Sequence, residues 1–140
     1  MSRTIEQLRA ACALKAVEAA LGKDKKYCDA YRSAARSLPA HLMIQGLGQT
    51  LALLRGDKGP PKDLYYILQD WLVRPGGPYT GDTDVLKAIT TKDQNYYIAA
   101  QAEAVKLAGW LKKFAAARIA APATKSSASE TPEQGQVSEP

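Results

Sequence analysis

Residues 97–117 read YIAAQAEAVKLAGWLKKFAAA, and this stretch decides the fold class. Its apolar residues recur at intervals of three and four, which is the period of an α-helix with one buried face. The helix is expected to begin near Asp93 and to continue to about Ala120. Its expected core stripe consists of Tyr97, Ala100, Ala104, Leu107, Leu111 and Phe114, with Trp110 beside it. An apolar stripe of this length packs against other elements, so the stretch predicts a helical bundle.

Composition extends the helical interpretation to the whole chain. The 140 residues include 24 Ala and 15 Leu, but only 11 Val and Ile together. Ala and Leu are strong helix formers, whereas β-branched residues favour strands. The sequence has no run of about 18 apolar residues and no apolar stretch of the kind found in a secretory signal, so we expect no contact with a membrane. We therefore predict an all-α, compact single-domain bundle of about six helices.

Cap and turn residues divide the chain before residue 93 into shorter predicted helices. Thr4 and Gln7 fit a capping box for the first helix, and Asp24 is expected to cap the second. Pro39 is expected to lie in the first turn of a further short helix, because proline disrupts helix interiors. The predicted helical segments are residues 4–21, 24–37, a short piece from 39, a piece from 47 to 54, 62–73 and 84–89. In the first helix the expected core stripe is Ala10, Leu14, Val17 and Leu21, widened by Ile5, Leu8 and Cys12.

The net charge of +5 is unevenly divided along the chain. Residues 122–140 read PATKSSASETPEQGQVSEP and carry a net charge of −2. Such a segment has too little apolar surface to fold, so we predict a disordered acidic tail. Residues 1–121, the predicted helical bundle domain, hold 18 basic and 11 acidic side chains, a net charge of +7. This excess favours a polyanionic partner.

Part of the basic excess falls on two predicted helix faces. In the second helix the cations recur with helical spacing, and in the last helix Lys106 and Lys113 are seven residues apart. The candidate RNA-binding residues are Lys25, Lys26, Arg32, Arg36, Lys106, Lys112 and Lys113. Each stripe also has a simpler interpretation as a solvated helix face. Cations placed in this way bind phosphates without reading base sequence.

The sequence offers no convincing catalytic or metal site. His41 is the only histidine, and no Asp or Glu lies within several residues of it, whereas a general base usually has an orienting partner. Cys12 and Cys28 are expected to be buried free thiols of a cytoplasmic protein. We therefore predict that the chain is not an enzyme and holds no cofactor or metal. A standalone ribonuclease using His41 is the remaining enzymatic alternative.

Two stretches together resemble a known family. The first is residues 31–54, YRSAARSLPAHLMIQGLGQTLALL, and the second is residues 97–117. Between them, the Tyr66, Trp71 and Leu72 positions and the run from Asp84 to Ile89 also fit. Their order and spacing are similar to those of the small all-helical subunit of the type III-B CRISPR effector, the Cmr complex. The likeness covers most of residues 1–120, and Gln101 departs from it where a small hydroxyl side chain is expected.

The resemblance implies a non-catalytic subunit of a ribonucleoprotein in antiviral defence. Copies of the subunit would stack on one another beside the backbone subunit of the Cmr complex. They would line the groove that holds the guide CRISPR RNA and the target RNA, and the backbone subunit would cleave the target. The residues themselves also allow a second hypothesis, a purely protein-binding helical filament or adaptor module with no direct RNA contact.

Overall fold

The computed structural model describes residues 2–121. The predicted acidic tail, residues 122–140, lies outside the described residues. The described part of the chain contains only helices as regular elements, which confirms the all-α prediction. They are α1 (Ile5–Leu21), α2 (Lys25–Gln45), α3 (Leu47–Arg55), α4 (Pro60–Val73), α5 (Val85–Thr91) and α6 (Gln94–Arg118).

The helix starts follow the local capping signals. The Thr4 side chain accepts a hydrogen bond from the Gln7 backbone N–H, and the Gln7 side chain accepts one from the Thr4 N–H. Asp24 accepts the Tyr27 N–H at the start of α2, and Asp84 caps α5 in the same way. Each cap satisfies an N–H group that has no partner inside its helix. The predicted capping box and the Asp24 cap are confirmed.

The second helix is longer than predicted, because it continues through Pro39. It spans 21 residues and ends at Gly46, so the predictions of an end near Ser37 and a new helix at Pro39 were wrong. Proline removes one backbone hydrogen bond to the preceding turn. Leu38 and Leu42 are fully buried on either side of it. Burial of this apolar face outweighs the missing bond, a tertiary effect that local signals do not report.

Helix α6 forms the centre of the bundle, with α1 and α2 packed along it and α3 and α4 packed against α2. Alanine makes up much of the buried face of both α1 and α6. The buried alanines are Ala13, Ala16 and Ala20 of α1 and Ala100, Ala104, Ala108 and Ala115 of α6. Side chains of this size allow two helix backbones to approach closely.

The buried face of α1 is not the predicted one. It consists of Arg9, Ala13, Ala16, Val17 and Ala20, and of the predicted stripe only Val17 is fully buried. Ile5, Leu8 and Leu21 remain 37–47% exposed. The face that α1 buries is therefore set by alanine packing and by the ion pair of Arg9, and not by the larger aliphatic side chains of the helix.

Arg9 is held by an ion pair inside the bundle. Its side chain is 3% exposed, and its Nη2 donates to Glu103 Oε2 of α6 at 2.9 Å. Glu6 pairs with the same guanidinium, and the Trp71 indole N–H donates to Glu103 Oε1 at 2.9 Å. Burial alone would raise the pKa of Glu103, but the hydrogen bonds from Arg9 and Trp71 outweigh it and hold the pKa below its ordinary value. One carboxylate therefore links α1, α4 and α6.

The turn between α2 and α3 is fixed by side chains of α6. Gly46 has a φ of +88°, a conformation that favours glycine. Gln101 Nε2 donates to the Leu42 carbonyl at 2.9 Å, and Gln101 Oε1 accepts the Leu47 N–H at 2.7 Å. The Tyr97 hydroxyl accepts the Gly48 N–H at 3.0 Å. Since α3 has no side-chain cap of its own, residues of α6 supply it.

Candidate nucleic-acid interface

Helices α2 and α6 lie side by side and run in opposite directions. At one end the Arg32 Nε donates to the Ile119 carbonyl at 3.1 Å. At the other end Gln101 contacts the Leu42 carbonyl. The two bonds bracket a seam between the helices, and they fix which residues of α6 are level with which residues of α2.

The register of α6 places Lys112 beside α2. Gln101, Ala108 and Lys112 are spaced by seven and four residues, so they share one stripe of the helix. Since Gln101 contacts the Leu42 carbonyl of α2, this stripe faces α2. Lys112 is the exposed member of the stripe. Lys112 therefore lies at the edge of the seam.

Two arginines of α2 border the same edge. Arg32 is half-buried because its guanidinium bonds the end of α6, and Arg36 is exposed one turn further along. Neither Arg36 nor Lys112 forms an ion pair within residues 2–121. We refer to Arg32, Arg36 and Lys112 as the seam cluster. None of the three forms an ion pair within residues 2–121, and Asp29, one turn before Arg32, pairs with Lys25.

The remaining four predicted residues lie elsewhere. Lys25 is exposed and pairs with Asp29 at 2.9 Å, which neutralises part of its charge, and Lys26 is exposed beside it at the start of α2. Lys106 and Lys113 are exposed and share another face of α6, about 100–120° around the helix from Lys112. By helical register, three of the seven candidates therefore lie along the seam, and the α6 lysines fall on two faces of the helix.

The groups considered for catalysis show no arrangement for it. His41 is half-buried in α2, and its backbone carbonyl accepts a bond from Thr50 Oγ1. Cys12 and Cys28 are half-buried free thiols, and burial raises the pKa of Cys12, which disfavours the reactive thiolate. Within residues 2–121 no three His, Cys, Asp or Glu side chains cluster as metal ligands would.

None of the described helices combines the length and apolarity that a membrane-spanning segment needs.

Gln101 is the positioning residue of this seam that the sequence did not reveal. It departs from the expected family pattern, and the sequence alone assigns it no role. In the structure it holds α2, α3 and α6 in register through the two bonds described above, which positions Lys112 against α2. The available signal was an amide on the same helical stripe as Ala108, where an apolar residue is expected.

Comparison with known proteins agrees with this architecture. The family model of the CRISPR-associated Cmr5 proteins matches residues 5–118. The crystal structure of a CRISPR-associated Cmr5 family protein from Thermus thermophilus is 27% identical in sequence and superposes with a TM-score of 0.67. The match covers 85% of this chain and 100% of that one. No curated protein matches the chain at a significant level. The resemblance found in the sequence is confirmed, and the chain belongs to the CRISPR-associated Cmr5 family.

Proposed function

We propose that this chain is the non-catalytic small subunit of a type III-B CRISPR ribonucleoprotein, stacked along the backbone subunits and lining the groove that holds guide and target RNA. Membership of the Cmr5 family supports a place in the Cmr complex. The observation that carries RNA contact is the seam cluster, in which Arg36 and Lys112 lack carboxylate partners within residues 2–121. Target cleavage then belongs to another subunit.

The seam cluster suits a phosphate backbone. The Arg32 Nε donates to the Ile119 carbonyl, which fixes the position of the guanidinium. The two terminal nitrogens of Arg32 have no acceptor within residues 2–121, so they remain available as hydrogen-bond donors. Arginine donors match phosphate oxygens in pairs, while Lys112 supplies a point charge. Such contacts position an RNA without reading its sequence. This fits a complex in which guide pairing supplies the recognition.

Reversal of two seam charges tests the proposal. In the reconstituted complex, Arg36→Glu with Lys112→Glu is expected to weaken target RNA binding at least tenfold near 0.1 M salt. The slope of log affinity against log salt should also become shallower, by the amount expected for the loss of about two phosphate contacts. Filter binding or fluorescence anisotropy over a salt series measures both quantities. Lys58→Glu with Lys87→Glu is the matched control, because both lysines are exposed, lie away from the seam and change the net charge equally.

The control separates the two candidate functions. If the seam and control variants weaken binding equally, net charge rather than the seam is responsible. If the seam variant binds target RNA normally but leaves the complex short of this subunit, the chain is a protein-binding adaptor, and assembly of the parent complex should then survive nuclease treatment.

A further inference from the structure

A groove of about 280 Å³ lies between α1 and α4. Its floor is Tyr31 of α2, one wall is formed by Ala16 and Ala19 of α1, and the other by Tyr66 and Ile67 of α4. Tyr66 is 39% exposed. The walls are mostly apolar, and the α1 wall is made of small side chains, so the groove accommodates the surface of another helix more readily than a polar ligand.

Helix α4 carries an acidic pair, Asp63 and Asp70. The two residues are exposed and lie two helical turns apart, about 10.5 Å along α4. Asp63 lines the groove and accepts a hydrogen bond from the Tyr27 hydroxyl. Asp70 continues the same face of α4 past Tyr66 and Ile67, which form the groove wall. Neither carboxylate has an ion-pair partner within residues 2–121.

The outer face of α6 matches this acidic pair in spacing and opposite charge. Lys106 and Lys113 are also two turns apart, are exposed, and form no ion pair within the described part of the chain. The residues around them on this face, Ala102, Gly109 and Ala116, are small. A helix with this face can approach another surface closely while its two lysines reach outward.

We propose that the outer face of α6 of one copy docks into the α1–α4 groove of the next copy, with Lys106 and Lys113 paired to Asp63 and Asp70. This inference rests on the stacking of the proposed function and assigns its two surfaces. Because the two surfaces differ, each docked pair leaves one surface of each kind free, and the contact generates an open row rather than a closed dimer. It also divides the basic residues: the seam cluster faces RNA and the outer pair faces protein.

Cations near the groove define a second expectation. The Lys23 ammonium lies 5.1 Å from the centre of the Tyr27 ring at the mouth of the groove, where it competes with an incoming lysine. Arg74 is stacked on Trp71 at 3.6 Å and bonds the Trp71 carbonyl, and it forms no ion pair with Asp63 or Asp70 within the described residues. Replacing Lys23 with Ala should therefore strengthen docking, whereas neutralising the carboxylates should weaken it.

Zero-length cross-linking tests the contact directly. The complex is reconstituted with guide RNA from an equal mixture of ¹⁴N- and ¹⁵N-labelled chains and treated with a carbodiimide. The reagent joins a lysine amine to a carboxylate as an amide, with loss of water. We expect mixed-isotope peptides that link Lys106 or Lys113 to Asp63 or Asp70. The total yield of chains cross-linked between copies should fall at least fivefold in Lys106→Glu/Lys113→Glu and in Asp63→Lys/Asp70→Lys, because the altered surfaces repel each other, and the Lys58→Glu/Lys87→Glu control should cross-link normally.

Exchanging the charges of the two surfaces is the more stringent test. A chain that carries all four reversals should regain self-association by sedimentation velocity at low salt, because the pairs are restored with opposite polarity. Each double variant alone should fail to self-associate, because both of its surfaces carry charge of the same sign, whereas an equal mixture should form alternating rows. If the reversals prevent folding, as judged by circular dichroism, Asp63→Asn/Asp70→Asn replaces them and should weaken self-association in the same sedimentation assay.

Several outcomes overturn the inference. These are a complete stack with no mixed-isotope link at these residues, no recovery in the folded fourfold variant, or lysine links to another subunit instead. A loss of RNA affinity in Lys106→Glu/Lys113→Glu with one copy bound would assign the outer pair to RNA. Each of these outcomes would overturn the docking contact but leave the proposed function intact, provided that the seam variant still weakens RNA binding. A chain that never enters the complex would instead count against the proposed function.

Discussion

Glu103→Gln is expected to lower the free energy of unfolding by about 3 kcal/mol, because it removes the main counterion of a buried guanidinium. Arg9 is 2% exposed, and after the substitution only Glu6 remains to balance its charge. Glutamine keeps the volume of the side chain and an oxygen that can accept the Trp71 indole N–H. The loss therefore reports the charge pair rather than a cavity. Urea denaturation followed by circular dichroism at pH 7 measures it.

A double-mutant cycle isolates the interaction. Arg9→Met combined with Glu103→Gln should cost clearly less than the sum of the two single losses, since no unpaired buried charge remains. The matched control is Glu18→Gln, which breaks the ion pair of Glu18 with Arg118. Both partners of that pair are about half exposed, so the expected change is within about 1 kcal/mol. Additive single losses would contradict the coupling.

The same carboxylate predicts a dependence on acid. Its pKa in the folded chain lies below the ordinary value of 4.5, so the folded state holds the proton less tightly than the unfolded state does. The stabilisation is therefore fully present above pH 4.5 and is lost as the pH falls toward the folded pKa. Below pH 4.5 the free energy of unfolding of the parent should fall more steeply than that of Glu103→Gln. Parallel curves would contradict this assignment.

Gly46→Ala is expected to lower the free energy of unfolding by about 2–3 kcal/mol. Gly46 combines a φ of +88° with a ψ of 165°, a conformation that is essentially restricted to glycine. An added Cβ would also lie 3.3 Å from the Tyr97 hydroxyl oxygen. The substitution therefore strains the turn that joins α2 to α3. Thermal and urea unfolding measure the loss.

Gly48 provides a control two residues away. It is helical, and a Cβ there would meet the Ile89 side chain at an ordinary contact distance of 3.7 Å. Gly48→Ala should therefore leave stability unchanged or raise it by up to about 1 kcal/mol, because alanine favours helix. Since backbone strain dominates at Gly46, adding Tyr97→Phe should not rescue Gly46→Ala. Equal losses for the two glycine variants would contradict the assigned role of the positive φ.

The helices were predictable where their signals are local. The capping box at Thr4 and the Asp24 cap depend on residues three positions apart, and the structure has them as predicted. The face of α1 was not predictable in this way, because Arg9 is buried by a partner 94 residues away. The continuation of α2 through Pro39 likewise depends on tertiary burial. Local patterns report where helices begin more reliably than which side they bury.

The candidate site was predictable as a set of cations but not as a surface. Helical spacing identified Arg32, Arg36 and the α6 lysines as candidates. Lys112 and Lys113 are neighbours in sequence, yet only Lys112 is on the stripe that faces α2. That distinction requires the register between two helices, which Gln101 and Arg32 set through contacts 59 and 87 residues apart. The acidic pair on α4 could be identified as a candidate binding surface only from its position relative to the groove.

Where alanines of α1 and α6 pack together, the damaging substitutions are those that enlarge a side chain. In most protein cores the damaging substitution removes atoms and leaves a cavity. Ala13 and Ala104 have no exposed surface, and they have few atoms to lose. Enlarging either side chain would force the two helices apart, and because α6 also carries the turn of α3 and the seam with α2, the displacement would spread to both. Sequence variation at these positions is therefore limited chiefly by size.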